Sequence, residues 1–267
     1  MRKIVSKKLM TFCLASLVAT GAFGHDLWVW GENRDKFSAD LLYGHDFPNP
    51  EKIKEERVKL FDPIKVISES GEVVLKQTGE HSYHFEGEKL TKGAYVVNAY
   101  YKPTAWIQTS DGKWEMEKTR KDTNKEVKYC GISTMQSKAL ISVDGGDSKI
   151  IAKTLDRKLE ITPLFDSMED LKVGKILEFK ITYDGKPVKF AEIFGSFGEY
   201  AKVGEGYEHG SVDMAFAAYA KSDLEGKFYF QPLKKGLWYL KSTVNSDSGD
   251  KDCETLNNKA TLVFEVK

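Results

Sequence analysis

Cysteine, proline and histidine are scarce in this sequence, and net charge is missing altogether. Three cysteines, seven prolines and five histidines are spread over 267 residues, and 40 Lys and Arg balance 40 Asp and Glu. A chain without a basic surplus is not expected to bind nucleic acid. Enzyme signatures are missing too: there is no Gly-x-Ser-x-Gly elbow, no His-Glu-x-x-His, no phosphate-binding glycine loop and no Cys-x-x-Cys. The stretch Gly195-Ser196-Phe197-Gly198 misses the elbow spacing by one residue. Among 40 acidic residues carboxylate pairs meet by chance, so they give no positive support for a glycosidase. The expectation is a protein that is not an enzyme.

Long apolar runs are confined to the start. Met1 to Gly24 has a basic opening (Arg2, Lys3, Lys7, Lys8), an apolar stretch from Leu9 to Val18, and small residues Ala22 and Gly24 at the −3 and −1 positions of a cleavage site. That stretch is shorter than the roughly 20 residues a membrane-spanning helix needs. Cys13 follows Phe12, whereas a lipoprotein site needs a small residue before its cysteine. Cleavage after Gly24, export to the periplasm and no membrane span are therefore expected. The remaining 243 residues carry 36 basic and 40 acidic side chains, a balance of −4, since the leader takes four basic residues and no acidic one. Two cysteines remain, Cys130 and Cys253. Their spacing is no metal motif, and in an oxidising compartment pairing with each other is the simplest expectation, although spacing alone does not bring them together.

What is present is strand patterning. Phe37, Ala39, Leu41 and Tyr43 alternate with Ser38, Asp40 and Leu42, and further β-rich runs follow at 58–61, 64–68, 73–77, 83–86 and 94–101. Turn residues separate them, among them Asp62-Pro63 and Ser70-Gly71. A hairpin is expected over 105–116 around Asp111-Gly112, then a short helix within the charged segment 117–128, and a strand at 139–143. A composition shift suggests a domain boundary near residue 150. Beyond it Leu177, Phe179, Ile181 and Tyr183 alternate strictly, and strands are expected at 188–197, 212–220, 227–230, 237–244 and 261–266. The fold class read from this is mainly β: two Ig-like or transthyretin-like β-sandwich domains in tandem, 25–150 and 151–267. Trp28, Trp30, Trp106, Trp114 and Trp238 read as sandwich core rather than a sugar platform, Trp106 and Trp114 least firmly.

With five histidines, each is weighed alone. Cleavage after Gly24 would make His25 the first residue, offering an α-amine and an imidazole that together chelate a divalent ion. Leu27-Trp28-Val29-Trp30 behind it should pin the terminus into the sandwich. His45, beside Gly44 at a strand end, is the second candidate ligand. His81 and His84 are three apart, so on a strand they point to opposite faces and at most one serves, with His84 the candidate. His209, between Glu208 and Gly210 in a glycine-rich loop, is the fourth.

The exposed His25-Asp26-Leu27-Trp28, the following Gly44-His45-x-Phe47, and in the second half Asp184-Gly185-Lys186-Pro187, Tyr219 to Asp223 and Gly236-Leu237-Trp238 resemble the exported two-domain proteins known as NikK-like. That resemblance implies a periplasmic accessory protein of nickel uptake that binds the ion and passes it to a membrane transporter, with His25 and His45 as the ligands it carries over. Cobalt and copper are alternative metals. A copper protein using the terminal histidine, and an adhesive or glycan-binding sandwich with an exposed aromatic patch near Trp106 and Trp114, are the competing readings.

Overall fold

The computed structural model describes residues 25–45, 47–79, 83–198, 200 and 216–267. In chain order its strands are β1 (Asp26–Asn33), β2 (Phe37–Gly44), β3 (Lys65–Ser68), β4 (Gly71–Val74), β5 (Lys76–Thr78), β6 (His84–Gly87), β7 (Gly93–Thr109), β8 (Trp114–Met116) and β9 (Val127–Val143). The second half adds β10 (Leu159–Pro163), β11 (Leu177–Tyr183), β12 (Lys186–Pro187), β13 (Glu192–Phe197), β14 (Ala218–Lys221), β15 (Lys227–Phe230), β16 (Gly236–Asp247) and β17 (Thr255–Val266). The chain is mainly β, as its alternation requires. No helix among the described residues is long and apolar enough to cross a membrane.

Three sheets form layers. A nine-stranded sheet in the order β14-β13-β16-β17-β9-β7-β3-β4, with β8 on β7, lies between a sheet of β1-β2-β6-β5 and one in which β11 pairs with β10, β12 and β15. The reason is written in the parity of its strands. Trp238, Leu240, Leu262 and Phe264 join one apolar core with Phe179, Ile181 and Phe228, while Tyr239 and Val263, one residue out of step, join another with Leu27, Trp28, Leu41 and Tyr43. Successive residues of a strand face opposite ways, so a strand apolar on both parities is one covered on both faces.

The middle sheet takes strands from both sides of residue 150. β17 pairs with β9 in parallel, from Thr255↔Gly131 to Phe264↔Leu140, in a sheet whose other pairings are antiparallel. The segment around residue 150 is a 3-10 turn, Lys149–Ala152. Cys130, at the start of β9, is bonded to Cys253, in the turn between β16 and β17, and both are buried. The bond spans 123 residues and restricts the unfolded chain, a contribution of about 2–5 kcal/mol.

Several local expectations need correction. Residues 58–61 are not a strand: Val58 ends the one-turn helix Glu55–Val58, and of the three residues after it Phe61 makes an isolated bridge, to Tyr101. The 94–101 and 105–109 runs are one 17-residue strand with an irregularity between Tyr101 and Thr104. In 117–128 the helix is only the 3-10 turn Arg120–Asp122, whose Arg120 holds Glu254 with two hydrogen bonds. The strand expected at 139–143 begins at Val127, and β10 was not anticipated at all. These two omissions share a cause. Lys138 and Glu160 interrupt the apolar pattern of β9 and β10, yet both are buried, because Lys138 Nζ lies 2.8 Å from Glu160 Oε1 and 3.2 Å from Thr162 Oγ1. Each charge is tolerated only by the other.

Candidate metal centre

The pairing of β1 with β2 builds the site. Asp26 stands opposite Gly44 and Leu27 opposite Tyr43, so one step further along both strands brings His25 to His45. Their rings lie 4.2 Å apart at 38°. By parity His25, Leu27 and Tyr43 share a face, and His25 lies flat on Tyr43, 4.5 Å away at 3°. Tyr43 in turn stacks on Tyr101 and meets Phe61 edge-on, which makes a buried aromatic floor. Burial pushes the Tyr43 hydroxyl above its usual range.

Glu51 closes the group. Its backbone N–H donates to Tyr43 O at 2.8 Å, which draws the segment after β2 back across the strand end. Gly44 makes this possible: a Cβ there would stand 3.1 Å from Glu51 N and 3.4 Å from its Cγ. Glu51 Oε2 lies 2.9 Å from His25 Nε2, and Oε1 lies 3.7 Å from His45 Nε2. One potential ligand atom from each of the three residues lies within 4.8 Å of the others. Burial lowers the pKa of His25; the bond to Glu51 works against this, and the His45 charge adds to it. Burial alone would raise the Glu51 carboxyl, but the His25 bond and the two imidazoles bring it below its usual range. Two imidazoles beside a carboxylate are a donor set suited to nickel, cobalt, copper or zinc.

The next residue turns the other way and anchors the strand. Asp26 is buried with Lys241 Nζ at 2.7 Å, Lys259 Nζ at 3.3 Å and the Tyr239 hydroxyl at 2.9 Å. Lys259 also donates to the His25 carbonyl at 2.9 Å, and the Thr261 hydroxyl donates to the Leu27 carbonyl at 2.6 Å. Burial by itself would raise the Asp26 pKa, but the charges of Lys259 and Lys241, with hydrogen bonds from Lys241 and Tyr239, hold it at about 2. Trp28, behind it, packs against Phe47 and Tyr239, which themselves stack at 4.8 Å. Leu27, Trp28 and Val29 are buried directly behind His25, as expected, and the charge cluster at Asp26 holds the same strand.

Of the four histidines singled out in the sequence, His25 and His45 come together. His84 does not join them. It pairs with Asp40, four residues back along β2, about 13 Å at the usual strand rise, and with a side chain of opposite parity to Tyr43. There its Nδ1 lies 2.6 Å from Asp40 Oδ1 and its Nε2 3.8 Å from Glu86 Oε1. His81 and His209 lie outside the described residues. Sequence reasoning missed Glu51, Asp26, Lys241, Lys259 and Tyr239. Only Asp26 left a trace, a charge set directly against Leu27-Trp28-Val29.

Trp28 and Trp238 are core residues. Trp106 is half-buried, bonded to the Tyr101 hydroxyl at 3.0 Å and covered by the Arg57 guanidinium, while Trp114 is 45% exposed. Glu51 also borders a cleft of about 140 Å³ lined by Leu41, Leu42, Pro50, Lys52 and Tyr83, well below the roughly 300–1,000 Å³ of a typical small-molecule site.

Among solved structures, the chain is similar to the fibronectin(III)-like modules of Clostridium thermocellum CbhA, at 10% identity over 87% of this chain and 84% of that one, with a TM-score of 0.21. It is similar also to the D0-D1 domain of intimin, at 11% identity over 88% and 96%, TM-score 0.21. A beta-glucuronidase from glycoside hydrolase family 2 matches at 9% identity over 91% of this chain and 20% of that one, TM-score 0.19. Overlaps this loose say nothing about architecture or activity. A search among curated proteins gives no match. The model of one family, described as Domain of unknown function (DUF4198), matches residues 22–246, and with most of its length so covered the chain belongs to that family.

Proposed function

We propose that this is a periplasmic metal-binding protein of nickel uptake, which holds Ni(II) at His25 and His45 beside Glu51 and passes it to a membrane transporter. One observation carries the reading: the three side chains present ligand atoms within 4.8 Å of one another at the point where the leader is expected to be cut. Cleavage after Gly24 would add the His25 α-amine to the set. The Cys130–Cys253 bond supports an oxidising compartment and so an exported chain. The NikK-like resemblance supports nickel as the ion. In this reading the protein catalyses no reaction. The ion is carried by residues of the first half of the chain, 25–150, and residues of the second, 151–267, steady that site through Tyr239, Lys241 and Lys259, across the middle sheet that both halves share.

The test begins with mass spectrometry of the purified exported protein, which should start at His25. Calorimetry should then find one nickel ion per chain, bound much more weakly when a single residue is added ahead of His25. Equal affinity in the two forms would remove the amine from the site, and no binding in either would remove nickel. Copper is the second reading, favoured by the amine and imidazole carried on one residue. A copper spin-resonance signal together with poor nickel binding would select it.

A further inference from the structure

One contact decides which atoms of His25 face an ion and what Glu51 does beside it. His25 Nε2 lies 2.9 Å from Glu51 Oε2. An ionised carboxylate only accepts hydrogen bonds, so the ring nitrogen is the donor. In a neutral imidazole a proton on Nε2 leaves the lone pair on Nδ1. Nδ1 is also the ring atom that closes a compact chelate with the nitrogen of the same residue. That ring runs through N, Cα, Cβ, Cγ, Nδ1 and the ion, whereas Nε2 lies on the far side of the imidazole.

The carboxylate is well placed to impose this choice. Its backbone is bonded to Tyr43 O and fits against Gly44, and the ring it holds is supported from beneath by Tyr43. Lys259 fixes the main chain of His25 from the other side. Ligating histidines commonly donate their second ring nitrogen to a carboxylate in this way, which sets both tautomer and orientation.

Building on the metal-binding reading above, we propose that Glu51 is a positioning residue and not a ligand: it holds His25 in the Nε2–H form, so that Nδ1 and the α-amine grip the ion and His45 completes the set. The uncut chain then has no chelate, because its His25 nitrogen is a peptide nitrogen whose lone pair is delocalised into the preceding carbonyl. Removal of the leader arms the site, and metal capture is restricted to the exported form.

Two measurements on the full exported chain test this. Long-range nitrogen–proton correlation on the metal-free protein should find His25 protonated at Nε2 in the wild type and in Glu51→Gln, whose amide oxygen still accepts, with that preference lost in Glu51→Leu. A His25 protonated at Nδ1 in the wild type overturns the proposal. Titration with nickel and with copper(II) should leave Glu51→Gln within about threefold of wild type and weaken Glu51→Leu by about 10–100-fold, with the copper spin-resonance spectrum unchanged in both. Equal losses in the two variants with an altered spectrum would make Glu51 a ligand and overturn the proposal alone. Failure of the wild type to bind either ion would overturn the metal-binding reading and this proposal with it, while the tautomer measurement would still report whether Glu51 orients the ring.

Discussion

Two histidine–carboxylate clusters sit on the same small sheet, and they are opposites. At one end of β2, His25 and His45 converge on a single carboxylate, Glu51, with their rings 4.2 Å apart. Four residues back, His84 stands between Asp40 and Glu86, with a carboxylate facing each ring nitrogen. Both combine imidazole with carboxylate, so those residue types alone do not separate a candidate site from a surface clasp. Separation comes from the ratio of imidazole to carboxylate and from what lies beneath. The first cluster rests on a stacked tyrosine floor and a buried anchor at Asp26, whereas the second lies on a partly exposed face.

The largest effect should come from the anchor that only the first cluster has. Asp26→Ala removes the carboxylate that faces the buried Lys259 and the partly buried Lys241, and the expected loss is about 3–5 kcal/mol in denaturant unfolding, with metal affinity falling alongside. A loss below about 1 kcal/mol would mean that the cluster does not hold β1. The same carboxylate sets an acid limit. Its folded pKa of about 2 lies below the ordinary aspartate value of 3.8, so its contribution is complete above that value and disappears as the pH falls toward 2. Stability should drop by about 2 kcal/mol across this window in the wild type, and Asp26→Asn should flatten that part of the curve.

His45→Ala sharpens the comparison at the site itself. Loss of outer partners already costs about 10–100-fold in metal affinity, so loss of an imidazole should cost at least tenfold in calorimetry, with little change in unfolding. Metal affinity should also weaken on acidification, because both imidazoles must be unprotonated to bind. The lowered pKa of His25 places its part of that loss below the usual histidine value of 6.5. The smallest effect belongs to the second cluster: His84→Ala should leave metal affinity unchanged and alter stability by no more than about 1 kcal/mol, as exposed ion pairs do. A tenfold loss of affinity in this variant would erase the distinction between the two ends of β2.

Much of the fold could be read from the chain wherever burial acts on one face at a time. The alternation of β2 and β11 and the turns at Asp111-Gly112 and Asp184-Gly185 are local signals, and strands appear where they point. Reading failed where a strand is covered on both faces or carries a buried charge, as in β9 and β10, since Lys138 and Glu160 make sense only once each is known to face the other. The same limit governs the site. His25 and His45 could be found because an expected cleavage site and a strand end mark them, but nothing local in the charged segment after β2 marks Glu51.

By itself the sequence determined the β class, the candidate leader and the two histidines at a strand end, because periodicity, turn chemistry and cleavage patterns act over a few neighbouring residues. Tertiary structure alone decided that both halves share a middle sheet, that Cys130 meets Cys253, that His84 stands apart, and that Asp26 is matched by lysines more than 200 residues away. Those pairings depend on strand register and on charges that are tolerable in the interior only in company, and neither is expressed by residues adjacent in the chain.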